Sequence, residues 1–154
     1  MYLIYLIIIT AVITLDRITK ALAVSHLSTI DTYPLINGVL HLTYTENTGA
    51  AFSIFKGKAS YLAIFSVAVV AVIIFLFIFQ IKKNKSCILY LSSIAMIIGG
   101  AIGNMIDRFK LGYVVDFVDF RLINFAIFNV ADVFLTVGTI ILCLCLLFDK
   151  RIKL

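Results

Sequence analysis

Four stretches of this chain, at about residues 2–24, 59–81, 87–106 and 126–148, stay apolar for the length a helix needs to cross a bilayer, roughly 20 residues. Nothing else in the sequence limits the fold as strongly. With 63% hydrophobic residues, one proline and no tryptophan among 154 residues, the chain is too apolar for a soluble domain of its size. The expected class is an all-α integral membrane protein of four transmembrane helices, a single membrane domain over residues 1–154. It carries no linker, low-complexity stretch or internal repeat.

The first run, Met1 to Leu15, has the length of a signal-peptide core, and Ala21-Leu22-Ala23 looks like a cleavage site. No basic residue precedes it, however, and Asp16, Arg17 and Lys20 interrupt the approach to that site, so a retained helix is expected. The tract Lys82-Lys83-Asn84-Lys85 is too short to cross anything, which makes the second and third helices antiparallel neighbours. Four spans put both termini on one side. That tract and Lys150-Arg151-Ile152-Lys153 hold six of the thirteen basic residues, and their density assigns this side to the cytoplasm. The net charge of +5 then reads as membrane anchoring, and no nucleic-acid partner is expected. Cys87, Cys143 and Cys145 lie in or beside apolar runs and read as small buried hydrophobes. Cys143-x-Cys145 lacks a second ligand pair, and His26 and His41 lack acids at ligand spacing, so no metal site is expected.

The two segments on the other side, about 26–58 and 109–125, are more polar. In the first, Leu40, Leu42 and Tyr44 alternate with His41, Thr43 and Thr45, which is strand periodicity. Phe52 and Ile54 continue the alternation after Glu46-Asn47-Thr48-Gly49, so a short surface hairpin turning at Gly49 is expected.

Charged and amide side chains break three of the helices at one level. The first helix carries Asp16 and Lys20 late, the third carries Asn104, Asp107 and Arg108 late, and the fourth carries Asn129 and Asp132 early. Given alternating direction, all fall near the extracytoplasmic face. A carboxylate at membrane depth is unfavourable by ~2.5–3.5 kcal/mol, so a shared functional site is the economical explanation. Asp116 lies between Val114-Val115 and Phe117-Val118, a setting that raises a carboxyl's pKa. Two such carboxylates can share a proton, one acting as base on a water while the other donates to a carbonyl. Asp132 is one member; spacing leaves Asp116, Asp119 and Asp107 open as the other. The bland reading has Asp16 with Lys20, and Asp107 or Asp16 with Arg108, as pairs that merely hold helices together. An ion-coupled transporter is the rival function, but the cytoplasmic halves of the helices offer almost no polar path.

The motifs resemble the lipoprotein signal peptidases (signal peptidase II), bacterial aspartic peptidases of the cytoplasmic membrane. Five blocks carry the resemblance in order: Asp16-Arg17-Ile18-Thr19-Lys20, Asn47-Thr48-Gly49-Ala50-Ala51-Phe52, the stretch Gly99 to Arg108, Val114-Val115-Asp116-Phe117, and Phe128-Asn129-Val130-Ala131-Asp132. The resemblance implies a four-helix bundle with a small extracytoplasmic β-cradle and Asp116 with Asp132 as the catalytic pair. Asp16, Lys20, Asn47, Gly49, Gly100, Asn104, Arg108, Asn129 and Ala131 would surround that pair or the substrate. It further implies a monomer that needs no cofactor and cleaves prolipoprotein signal peptides just before a diacylglyceryl-modified cysteine. Membrane lipids would surround it, and globomycin-like cyclic peptides would block its site.

Overall fold

The computed structural model describes residues 2–30, 32–49, 59–82 and 87–148. Helix α1 spans Tyr2–Leu27, strands β1 and β2 span Tyr33–Ile36 and Leu40–Asn47, and α2 spans Ala59–Lys82. They are followed by α3 at Ile88–Lys110, β3 at Val114–Phe120, a single 3₁₀ turn at Arg121–Ile123, and α4 at Val130–Phe148. All four α-helices are long and apolar enough to cross a membrane.

α3 occupies the centre and packs against α1, α2 and α4. Of its spanning window, 61% is buried, against 17% in each of the other three helices. The large exposed residues of those three, such as Leu3, Phe65, Phe75 and Leu147, form the apolar exterior that lipid would cover. The sequence of α3 explains its position. Gly100 and Gly103 remove side chains where neighbours come closest: a Cβ on Gly100 would lie 2.6 Å from the Ala131 carbonyl oxygen, and one on Gly103 would lie 2.6 Å from Asp16 Oδ2. Small residues are what allow membrane helices to approach this closely. Tyr5, Phe77, Tyr90, Leu91, Ile94, Ala95, Ile98 and Cys145 form the larger core cluster, with the Tyr5 and Phe77 rings edge to face at 5.7 Å. A second, smaller cluster of Ala23, Leu27, Val115 and Phe117 seats the sheet on the end of α1.

The sheet has three antiparallel strands in the order β1-β2-β3. The strand expected at 40–45 is present, but its partners differ from expectation. β2 turns back on β1 through Asn37-Gly38, with Gly38 at φ 71°, so the turn of this hairpin lies there and not at Gly49. Phe52 and Ile54, the expected second half of the hairpin, lie outside the described residues. The other neighbour, β3, comes from the connection between α3 and α4; its valine and phenylalanine residues are strand formers. Helix ends also move. α1 continues to Leu27, and α3 continues to Lys110, since Lys20 and Arg17 compensate Asp107 just past its expected end. α4 begins at Val130 and not at 126, because Phe128 pairs with Val118 as an isolated bridge on β3.

Candidate active site

Asp132 is the third residue of α4, and Asn129 immediately precedes that helix. The two form a reciprocal cap: the Asp132 N–H donates to Asn129 Oδ1 at 3.0 Å, and the Asn129 N–H donates to Asp132 Oδ2 at 3.2 Å. The carboxylate thus begins with a local reason to be there, since it caps the helix and sits at the favourable end of its dipole. Asp116 reaches the same place from β3, buried to 3% exposure.

Three asparagines hold these carboxylates, and each has only one possible amide orientation. Asn129 Oδ1 is occupied by the Asp132 N–H, so its Nδ2 donates to Asp116 Oδ1 at 2.6 Å, with Asn104 Oδ1 and the Val115 carbonyl at 3.1 and 3.3 Å. Asn104 Oδ1 also accepts from Lys20 Nζ at 2.9 Å, which leaves Asn104 Nδ2 to donate to Asp132 Oδ1 at 2.8 Å. Asn47 Oδ1 accepts the Gly49 N–H at 2.9 Å, and its Nδ2 donates to Asp116 Oδ2 at 3.0 Å. Since an ammonium or a backbone N–H can only donate, each amide oxygen is fixed toward it and each NH₂ toward a carboxylate.

Burial first, and the Asp132 charge second, push the Asp116 carboxyl up to about 6, against the opposing hydrogen bonds from Asn47 and Asn129. Both aspartates line one cavity of about 670 Å³, together with Asn47, Asn104 and Arg108. The rest of its wall is mainly apolar and comes largely from α2 (Phe65, Val69, Val70), α4 (Leu135, Val137) and the 125–128 connection. Arg108 Nη2 donates to the Gly49 carbonyl at 3.2 Å, tying the segment after β2 to α3.

A second cluster lies immediately beside the first. Lys20, with no exposed surface, places Nζ 3.0 Å from Asp16 Oδ2 and 2.9 Å from Asp107 Oδ2, and Arg17 pairs with Asp107 Oδ1. The Asp16 contact is ionic without hydrogen-bond alignment, while Asp16 Oδ1 accepts the Ala131 N–H at 3.1 Å. Asp107 Oδ2 also accepts the Val115 N–H at 3.2 Å.

Every residue expected in the site therefore lies in this connected assembly. Gly100 enters it through its close approach to Ala131. Of the three partners that spacing leaves open for Asp132, only Asp116 shares its cavity. Asp107 is bound to Lys20 and Arg17 rather than Arg108. Asp119 accepts from Thr43 and Arg121, both at 2.8 Å, elsewhere on the sheet. Sequence reasoning passed over Arg17, which has no visible partner until the helices are packed. It also passed over the Asn129-x-x-Asp132 cap, whose spacing alone is a legible signal.

Comparison with known proteins gives concordant results. Residues 8–148 match the family described as signal peptidase (SPase) II. The chain is 45% identical over 148 residues to a lipoprotein signal peptidase of Caldanaerobacter subterraneus, covering 96% of this chain and 99% of that one. It is 42% identical to the lipoprotein signal peptidase of Clostridioides difficile, over 95% and 96% of the two chains. A solved structure of a bacterial membrane enzyme superposes with a TM-score of 0.82 at 31% identity, covering 97% of this chain and 91% of the other.

Proposed function

Since the chain belongs to the signal peptidase II family and is a multi-pass membrane protein with lipoprotein signal peptidase function, we propose that it is an aspartic endopeptidase in which Asp116 and Asp132 act on one water. The observation that carries this reading is a single asparagine between the two: Asn129 donates its side-chain N–H to Asp116 and its backbone N–H to Asp132, at the polar end of one cavity.

The environments suggest different roles for the two acids. Asp132 accepts hydrogen bonds from Asn104 and from the backbone at the start of α4, and as the partner of Asp116 it takes the proton of the attacking water. Asp116, raised to about 6, holds a proton for the scissile carbonyl oxygen. Water attacks the carbonyl carbon, and the tetrahedral intermediate then collapses as a proton returns to the leaving amine, regenerating the pair. Asn47, Asn104 and Asn129 keep the carboxylates aimed, Lys20 and Asp16 support them from α1, and Arg108 lines the cavity where charge develops on the substrate.

The substrate is a prolipoprotein signal peptide cut just before its diacylglyceryl cysteine. The apolar wall between α2 and α4 suits such a ligand, with the peptide bond at the polar end and acyl chains toward lipid. The enzyme would sit as a monomer in the bacterial cytoplasmic membrane, both termini inside and the dyad near the extracytoplasmic face. A globomycin-like cyclic peptide would occupy the same cavity, and no cofactor enters the chemistry. Asp116→Asn and Asp132→Asn should each insert and fold yet lose cleavage of a diacylated precursor by ~10³-fold or more, read as a mobility shift on a gel. Near-normal cleavage by either variant overturns the dyad.

A further inference from the structure

β3 is an edge strand. One side of its backbone pairs with β2, with Asp116 opposite Thr45, and the other side faces no strand among the described residues. Its open side is nevertheless filled. The Phe128 carbonyl accepts the Phe117 and Val118 N–H groups at 3.1 and 2.8 Å, and the Phe128 N–H donates to the Val118 carbonyl at 3.1 Å. At Val115, which is 1% exposed, the N–H goes to Asp107 Oδ2 and the carbonyl receives Asn129 Nδ2. The Asp107 carboxylate thus stands where a neighbouring strand's carbonyl would stand, on the residue just before Asp116. Without it that N–H would be buried and unpaired.

From this arrangement we infer that Asp107 is a positioning residue for the dyad: through the Val115 peptide it fixes where β3 delivers Asp116. The inference rests on the reading of Asp116 and Asp132 as the catalytic pair. Asp107 does not line the cavity and so acts at one remove from the reacting atoms. The same Lys20 ammonium that meets Asp107 Oδ2 also meets Asn104 Oδ1, both at 2.9 Å, and Asn104 holds Asp132. One buried cation therefore links an arm ending at Asp116 to an arm ending at Asp132, and the spacing between the acids is set by both.

Two substitutions separate positioning from simple helix pairing. In Asp107→Leu a side chain of similar shape carries no acceptor, so the Val115 N–H that Oδ2 accepts is left buried and unpaired and both cations lose their partner. Asp107→Glu keeps the charge for both cations but carries the oxygens one methylene away from Val115. Each variant, purified full-length in detergent and given a diacylated precursor peptide, should lose kcat by about 30- to 100-fold, as expected of a displacement near 1 Å. KM should stay within about twofold, since substrate contacts are intact. The Glu variant should also keep its melting temperature within about 5 °C, because its ionic partners remain. Asp116→Asn in the same assay tests the dyad itself. If it is inactive while both Asp107 variants stay within twofold of wild type, positioning fails and the dyad stands. If Asp116→Asn remains active, the dyad fails first. A loss carried by KM, or a kcat loss in Asp107→Glu matched by collapse of its melting transition, overturns the inference.

Discussion

Three buried carboxylates, Asp16, Asp107 and Asp116, and the half-buried Asp132 lie within one polar layer, and the four divide into two pairs. Asp16 and Asp107 are balanced by Lys20 and Arg17, so that pair of acids is neutralised by whole charges. Asp116 and Asp132 make no ion pair among the described residues: their hydrogen bonds come from three asparagine amides and the start of α4, with the Arg108 charge across the cavity. A cation ties a carboxylate into a fixed ion pair. Amides hold a carboxylate in place without neutralising its charge. On the proposed mechanism the same residue type is thus a fastener in one half of the layer and a reagent in the other, and the partners differ accordingly.

The comparison breaks most visibly at Lys20, which serves both halves. Lys20→Met removes the ammonium while filling much of the same volume, leaving Asp16 without its cation, Asp107 with Arg17 alone, and Asn104 free to turn its oxygen away. Losing one partner of a buried ion pair destabilises by about 3–5 kcal/mol. Thermal unfolding in detergent should show that loss, and cleavage should fall with it. A melting curve within about 2 °C of wild type would mean the cationic half fastens nothing.

A smaller effect, of opposite sign, is expected in the other half. Asp116 is raised from 3.8 to about 6 by burial and by Asp132, so the folded state holds its proton more tightly than the unfolded chain does. Stability contributed by the protonated form is complete below about pH 4 and is lost as pH rises toward 6, an amount of about 3 kcal/mol at most. Asp116→Asn removes the titration, and above pH 6 it should melt higher than wild type while being inactive. The wild-type rate should decline as pH rises through about 6, where the acid loses its proton. A variant that gains no stability at pH 8, or a rate flat from pH 5 to 8, would place Asp116 with the structural acids instead.

The two halves were not equally legible in the sequence. Apolar length alone gave the four helices, and the placement of Asp16, Asn104 and Asp132 at matching depths gave the polar layer, because helix geometry turns sequence position into height. Sorting the acids was different. Asp107 follows Asn104 by three residues and looks like an equal candidate for the dyad, and only packing shows it turned toward α1 and occupied by Lys20 and Arg17. The third strand escaped for a related reason. Val114–Phe120 repeats Val-Asp-Phe every three residues without alternating, it stands in a connection between two helices, and its pairing with β2 spans some 70 residues of chain, a separation that local periodicity does not register. The motifs of the family resemblance, not spacing, singled out Asp116.

The finest test lies within one strand. Asp119 is three residues after Asp116 and on the opposite face of β3, where it accepts from Arg121 Nε and Thr43 Oγ1. Burial works to raise its pKa, but those two hydrogen bonds and the guanidinium charge outweigh it and hold the carboxyl below its ordinary value. Its stabilisation is therefore present above the ordinary carboxylate range and lost as pH falls through the lowered pKa, the reverse of Asp116. The Arg121 side chain is 40% exposed, so solvent screening limits the contribution to about 1 kcal/mol or less. Asp119→Asn should lower the melting temperature slightly at pH 7, with the gap to wild type narrowing toward pH 3, and should leave cleavage within about twofold, since it touches neither the cavity nor the asparagines. Melting curves of Asp116→Asn and Asp119→Asn across that pH range should run in opposite directions relative to wild type. Parallel curves would mean that the strand's two faces do not set the two carboxylates apart.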